Sequence, residues 1–164
     1  MSVADIAYIG LGGNLGDAEA TLRAALVALD GLPGIRVRAA SRLYRTPAWG
    51  RLDQPPFVNA AAALETTLAP EVLLDALLGL ERRFGRERVE GERWGPRTLD
   101  LDVLLIADRV VDTPRLQVPH PHLHERAFAL LPLAEIAAGT LIPGRGTVEA
   151  ALAQLETGGL APIG

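Results

Sequence analysis

The stretch Tyr44-Arg45-Thr46-Pro47-Ala48-Trp49-Gly50-Arg51-Leu52-Asp53-Gln54-Pro55-Pro56-Phe57 decides the fold, because it joins two strand-like segments and has no helical period of its own. Before it, Ile35-Arg36-Val37-Arg38 alternates apolar and charged residues and leads through Ser41 and Leu43 to Tyr44, which reads as a second strand. After it, Phe57 to Thr67 reads as a third. Parallel neighbours need a long crossover, usually a helix, whereas antiparallel neighbours do not. The interval therefore predicts that these two strands pair antiparallel, and it argues against a doubly wound parallel sheet. With three prolines and a glycine, Thr46 to Pro56 is also longer and more irregular than a connection alone requires.

Outward from this loop the chain alternates strands and helices. Ile6 to Leu11 is an apolar first strand, followed by a turn-rich loop from Gly12 to Asp17. Leu22, Leu26 and Leu29 then recur at helical spacing, with Asp17 placed to cap the helix and Gly31 and Pro33 placed to stop it. Pro70 opens a second helix at a position proline tolerates, and Leu73, Leu77, Leu80 and Phe84 mark its core face. A neighbouring row, Leu74, Leu78 and Glu81, brings Glu81 close to the basic loop from Gly85 to Arg97. Thr98 to Ile106 is a fourth strand, followed by a short strand near Val110-Val111 and a helical segment from His124 to Ala138. The order β-α-β-β-α-β predicts an α+β fold, a ferredoxin-like sandwich whose antiparallel sheet carries helices packed on it, as a single domain over residues 1–164.

Composition bounds the chemistry by what it lacks. The chain has no cysteine, and all sixteen basic residues are arginine, which excludes disulfides, thiolate chemistry, the lysine of a P-loop and Schiff-base catalysis. No apolar run is long enough to span a membrane and Met1-Ser2-Val3-Ala4-Asp5 does not resemble a signal peptide, so a cytoplasmic protein without a membrane partner is expected. A net charge of -4 argues against nucleic acid as a partner, because such proteins usually show a basic face. Any anion site must be local.

One candidate for it is Arg93-Trp94-Gly95-Pro96-Arg97-Thr98-Leu99-Asp100-Leu101-Asp102. On a strand, Asp100 and Asp102 project from one face roughly 6.5–7 Å apart along the chain. Paired carboxylates of this kind suit a cation, although a solvated strand face would also carry alternating polar residues. Arg86, Arg88, Arg93 and Arg97 upstream are either a solvated charged loop or planar forks that grip phosphate oxygens in pairs. The three histidines fall in Pro119-His120-Pro121-His122-Leu123-His124, a run that could ligate zinc but shows no obvious carboxylate to complete a site. One histidine contacting a phosphate, with two on the surface, is the simpler expectation. Gly10-Leu11-Gly12-Gly13-Asn14-Leu15 lacks the third glycine of a dinucleotide motif and reads as a turn. Trp49 and Trp94 sit in loops, and Phe57 and Phe128 lie next to the candidate segments; all are suitable walls for a flat ring.

Together these segments resemble the 6-hydroxymethyl-7,8-dihydropterin pyrophosphokinase family. The resemblance is carried by Gly12-Gly13-Asn14-Leu15-Gly16, Tyr44-Arg45-Thr46-Pro47, Asp53-Gln54-Pro55, Phe57-Val58-Asn59-Ala60, Glu92 to Asp102, and Val118-Pro119-His120-Pro121 with Arg126 and Phe128. It implies a ferredoxin-like fold and an ATP-dependent diphosphokinase of folate biosynthesis. Such an enzyme moves the β,γ-diphosphate of ATP to the hydroxymethyl group of a reduced pterin and releases AMP.

By the same resemblance, Asp100 and Asp102 are expected to hold two magnesium ions. Phe57 and Phe128 sandwich the pterin, Asn59 reads its hydrogen-bonding edge, and backbone groups of Thr46, Pro47 and Trp49 complete its recognition. Glu81, Arg88, Arg93, Trp94, Val103, Arg115, His120 and Arg126 fall where the family holds nucleotide, and Arg86 and Arg97 resemble loop arginines that assist transfer. The expected partners are these two small molecules, and a monomer is expected. The loops Gly12 to Asp17, Thr46 to Pro56 and Gly85 to Arg97 are expected to close over them and exclude water. His122 and His124 match no functional position. The competing readings are a different magnesium-dependent phosphoryl or nucleotidyl transferase, and a non-catalytic ferredoxin-like ligand sensor.

Overall fold

Alternation in the strands and the leucine rows in the helices build one antiparallel sheet with helices on both faces. The computed structural model describes residues 4–46, 56–85 and 98–163. Its elements are β1 (Asp5–Gly13), α1 (Ala18–Asp30), β2 (Ile35–Ala40), β3 (Leu43–Thr46), β4 (Phe57–Thr66), α2 (Pro70–Arg83), β5 (Asp100–Ile106), β6 (Val111–Asp112) and β7 (Gln117–Val118). A 3-10 turn (Leu123–Glu125) then leads to α3 (Ala127–Ala137), β8 (Leu141–Ile142), β9 (Gly146–Thr147), α4 (Val148–Leu152) and β10 (Ala161–Ile163).

The main sheet runs β10-β3-β4-β1-β5, with β2 also paired to β4, and every pairing is antiparallel. The α+β, ferredoxin-like expectation is borne out, including antiparallel pairing across the proline-rich interval. Because side chains alternate along each strand, one face carries Ala7, Ile9 and Leu11 of β1, Val58, Ala60, Ala62 and Leu64 of β4, and Leu101, Val103 and Ile106 of β5. Leu22, Ala25 and Leu29 of α1 and Leu73, Leu77 and Leu80 of α2 seal it. Asp17 caps α1, its carboxylate accepting from the Ala20 N–H at 3.1 Å, and Pro70 occupies the first turn of α2.

The opposite face is covered over part of its length. Ala61, Leu104 and Leu105 pack with Leu130, Leu133 and Ala137 of α3 and with Ile142 and Val148 from the chain beyond it. Periodicity did not reveal this C-terminal layer, because β8, β9 and α4 are too short to show one.

Several boundaries differ from the sequence expectation, among them the helix expected from His124, which begins at Ala127 after the 3-10 turn. The second strand divides into β2 and β3, both paired to β4. Ser41 makes the break: its N–H donates to the Ala61 carbonyl at 2.8 Å, and its hydroxyl accepts the Ala61 N–H at 2.9 Å, so a side chain replaces the next ladder carbonyl. β1 continues through Gly12 and Gly13, which were expected in the following loop, because both pair with β4 at Asn59 and Val58. β5 starts at Asp100 rather than Thr98.

Candidate active site

Cross-strand register assembles the site. On the partly covered face, Tyr44 of β3 lies opposite Asn59 of β4, Asn59 opposite Gly12 of β1, and Gly12 opposite Asp100 of β5. The next positions along the strands bring Thr46 opposite Phe57 and Gly10 opposite Asp102. Asn59 and Asp100 are thus separated by one strand, a span of roughly 9–10 Å at ordinary strand spacing. That strand has no side chain where it passes between them.

Each group is held by its surroundings. Asn59 is buried and its Nδ2 donates to the Thr46 hydroxyl at 2.8 Å. Asp100 and Asp102 are half-buried and share one face, while Leu99, Leu101 and Val103 turn into the core. β5 is the edge of the main sheet, and the Leu101 N–H between the two aspartates donates to Glu81 Oε2 of α2 at 2.7 Å. Glu81 is itself only 3% exposed, so it ties the edge strand to a helix at the position where the carboxylates emerge.

On the other flank, His120 donates its N–H to the Leu104 carbonyl at 3.0 Å, and its Nδ1 accepts the His122 N–H at 3.1 Å. Burial foremost, then the nearby charges of Arg126 and His122, push the His120 pKa down to about 4. The ring is neutral near pH 7, with its proton on Nε2. Arg126 leads into α3 and its guanidinium carbon lies 5.6 Å from the centre of the half-buried Phe128 ring. One polar cluster, His120 and Arg126, therefore adjoins one aromatic wall, Phe128.

Other expected site residues are placed differently. Val103 points its side chain into the core on the far face, which leaves its main chain as the part able to meet a nucleotide. Arg115 is exposed and paired with Asp75 of α2, whose carboxylate raises its pKa. The histidine run does not gather into a metal site: among the described residues no cluster of three or more metal-ligating side chains occurs. A carboxylate does stand in that segment, for Glu125 meets His122 Nδ1 at 3.3 Å and His124 Nε2 at 3.2 Å, but it faces them as an exposed pair partner. Pro47, Trp49, Arg86, Arg88, Arg93, Trp94 and Arg97 lie outside the described residues, as do most of the two longer loops expected to close.

Sequence reading missed a further cluster. The buried Tyr44 donates its hydroxyl to Glu135 Oε2 of α3, and Glu135 Oε1 accepts from the Arg42 N–H at 2.9 Å and the Arg42 Nε at 3.3 Å. Although partial burial opposes it, these donors hold the Glu135 pKa below its usual value. Burial, followed by the adjoining carboxylate, raises that of Tyr44. The cluster fastens the helix that carries Phe128 to the strand that carries Thr46. No local signal joins residues so far apart in the chain.

The face thus presents an aspartate pair on β5 and, one bare strand away, a buried asparagine with Tyr44 opposite it and Phe57 two residues along its own strand, while His120 is held by the strand carbonyl two residues beyond Asp102. Comparisons with known proteins identify the family. The sequence pattern of the 7,8-dihydro-6-hydroxymethylpterin-pyrophosphokinase family matches residues 8–138. The 2-amino-4-hydroxy-6-hydroxymethyldihydropteridine pyrophosphokinase of Methylorubrum extorquens is 49% identical over 154 residues, covering 94% of this chain and 96% of that protein. The enzyme of the same name from Pseudomonas aeruginosa is 50% identical over 136 residues, 83% of each chain. In structure, the Plasmodium falciparum HPPK-DHPS protein crystallised with pteroate superposes with a TM-score of 0.74 at 13% identity, over 94% of this chain and 43% of that longer one, which establishes likeness of fold. The chain belongs to the 7,8-dihydro-6-hydroxymethylpterin-pyrophosphokinase family.

Proposed function

We propose that the chain transfers the β,γ-diphosphate of ATP to the hydroxymethyl group of 6-hydroxymethyl-7,8-dihydropterin, releasing AMP, as a step of folate biosynthesis. The observation that carries this reading is the row Asn59-Gly12-Asp100, which sets a buried amide and a carboxylate on one face with an unobstructed strand between them. The pterin lies between Phe57 and Phe128 with its polar edge at Asn59 and the backbone of Thr46, Pro47 and Trp49. Its hydroxymethyl end then points over β1 toward Asp100.

Asp100 and Asp102 would hold magnesium. The donor set fits: two carboxylates on one face, with no cluster of three or more metal-ligating side chains among the described residues, leave room for phosphate oxygens and water, as that ion prefers, and two ions are expected. Bound there, magnesium would neutralise charge on the transferring phosphates. Neutral His120 offers an Nε2–H donor, and Arg126 a cation, to the triphosphate. Glu81, Val103 and Arg115, with Arg88, Arg93 and Trp94, complete the nucleotide set, and Glu81 also fixes the strand bearing both aspartates. Arg86 and Arg97 neutralise charge during transfer. Phe57, Phe128 and the surrounding loops exclude water that would otherwise compete with the pterin hydroxyl.

The test is AMP release with ATP, magnesium and the hydroxymethyl dihydropterin, leaving out each in turn. Release that needs all three is the expected result. AMP formed without pterin would mean that water takes the diphosphate and pterin is not the required acceptor, and ligand binding without turnover would point to a sensor; either outcome overturns the proposal.

A further inference from the structure

Gly10 and Gly12 stand two residues apart on the same strand and the same face, yet a methyl group at each would meet different surroundings. At Gly10 a Cβ would lie 3.5 Å from the Leu104 side chain, an ordinary contact. At Gly12 it would lie 2.7 Å from Asn59 Oδ1, closer than real Cβ contacts occur. Neither glycine has a positive φ, so the backbone at both positions accepts an L-residue. The difference between them is what the side chain would strike.

The Asn59 amide has little freedom to yield. Its Nδ2 is bonded to Thr46 Oγ1 at 2.8 Å, the residue is 8% exposed, and the 4% exposed Tyr44 occupies the neighbouring place in the row on the side away from β1. Moving Oδ1 away from a methyl at position 12 rotates the amide about the bond that aims Nδ2, and so breaks or bends the bond to Thr46. We infer that Gly12 is a specificity-determining positioning residue: its missing side chain lets Asn59 hold one amide orientation, Nδ2 toward Thr46 and Oδ1 over β1, which sets the donor and acceptor pattern offered to the heterocyclic edge of the acceptor substrate. This rests on the reading of Asn59 as the pterin-edge contact. A 2-amino-4-oxo ring presents donors and an acceptor side by side, so an amide turned from its orientation opposes like with like, and a buried mismatch of this kind is costly.

The experiment compares Gly12→Ala with Gly10→Ala. Gly12→Ala is expected to raise the KM for the hydroxymethyl dihydropterin at least tenfold, with a smaller change in kcat and an unchanged Kd for a non-hydrolysable ATP analogue with magnesium. Gly10→Ala, whose added methyl meets Leu104 rather than Asn59, should leave the KM for the pterin within about twofold of the parent. The chain contains two asparagines, Asn14 and Asn59, so asparagine-selective 15N labelling resolves the Asn59 side-chain amide; its resonances should move in Gly12→Ala and hold in Gly10→Ala. A double-mutant cycle isolates the cause. Placed in an Asn59→Ala background, Gly12→Ala should add no further loss of pterin affinity, because the atom it strikes is gone.

Gly12→Ala behaving like Gly10→Ala, or costing as much without Asn59 as with it, overturns the inference. If Gly12→Ala fails to fold, the double variant decides: folding restored by Asn59→Ala supports the contact, and folding not restored refutes it. Parent enzyme that needs no pterin for AMP release would instead defeat the assignment of the activity, a separate result from any of these.

Discussion

The two halves of one sheet face make a controlled comparison. β4, β1 and β5 run through both; the β1–β4 register is continuous, and the β1–β5 register shifts once between the halves. In one half the residues on that face are Tyr8, Ala61, Leu104 and Leu105, and α3 with α4 covers them. In the other they are Asn59, Gly12, Asp100 and Asp102. Apolar side chains bring a helix down onto the sheet because burying them is favourable; polar and absent side chains give a helix nothing to bury. The site is therefore a region where the sheet continues but, among the described residues, the covering layer stops. The irregularity between Tyr8 and Ile9 on β1 helps to mark the boundary: Leu104 and Leu105 both enter the covered half, while Val103 stays in the opposite core.

The sharpest way to break this contrast is to neutralise the open half. Asp100→Asn or Asp102→Asn conserves shape and should lower AMP release by about a thousandfold or more, roughly 4 kcal/mol of transition-state stabilisation, while thermal unfolding stays near that of the parent. Either variant retaining near-parental turnover would remove the aspartates from the reaction. The covered half should give the opposite outcome. Leu130→Ala, at a fully buried position on the face of α3 that packs on the sheet, should cost about 2–5 kcal/mol in denaturant unfolding. Stability unchanged by that substitution would mean that α3 is not part of the cooperative core.

A smaller effect tests the link between the halves and the layer behind them. Glu81→Ala leaves the buried Leu101 N–H without the carboxylate that accepts it, a loss of about 1–3 kcal/mol. Because that strand carries both aspartates, the activity loss in Glu81→Ala should exceed what unfolding alone explains at the assay temperature. Glu81→Gln keeps an acceptor oxygen and should recover most of the stability; recovery of stability without activity would separate a nucleotide contact from the strand anchor.

Much of the fold was legible because it rests on local rules. Leu73, Leu77 and Leu80 recur every three or four residues and are buried as that spacing requires, and Asp17 and Pro70 sit at the helix starts their chemistry favours. Asp100 and Asp102 were legible as a pair because the strand period is two. Gly12 was misread as a loop residue because a glycine in a central strand has the same local signature as one in a turn; only the opposing Asn59 distinguishes them. The break at Ser41 and the clamp of Tyr44 on Glu135 depend on partners remote in sequence, for which neither composition nor periodicity carries a signal. Glu81 was located on the correct helix edge, but its bond to a strand amide could not be read before the strand's neighbour was known.

The smallest effect distinguishes a histidine that is part of the floor from one that merely decorates a loop. His120 is held neutral, its pKa lowered to about 4 by burial first and then by Arg126 and His122. Its unfolded value is near 6.5, so the contribution to stability from burying the neutral ring is fully present above about pH 6.5 and is lost as the pH falls toward about 4, because there the unfolded chain takes up a proton that the folded one refuses. The parent and His120→Gln should therefore differ in the slope of unfolding free energy over that window, with the variant the flatter. The ring's Cε1–H resonance should likewise stay in place from pH 7 to pH 5. If that resonance titrates with a midpoint near 6.5, the ring is solvated, its Nδ1 takes up the proton and loses the His122 N–H it accepts, and the ring meets phosphate as a cation below that pH rather than as a neutral Nε2 donor.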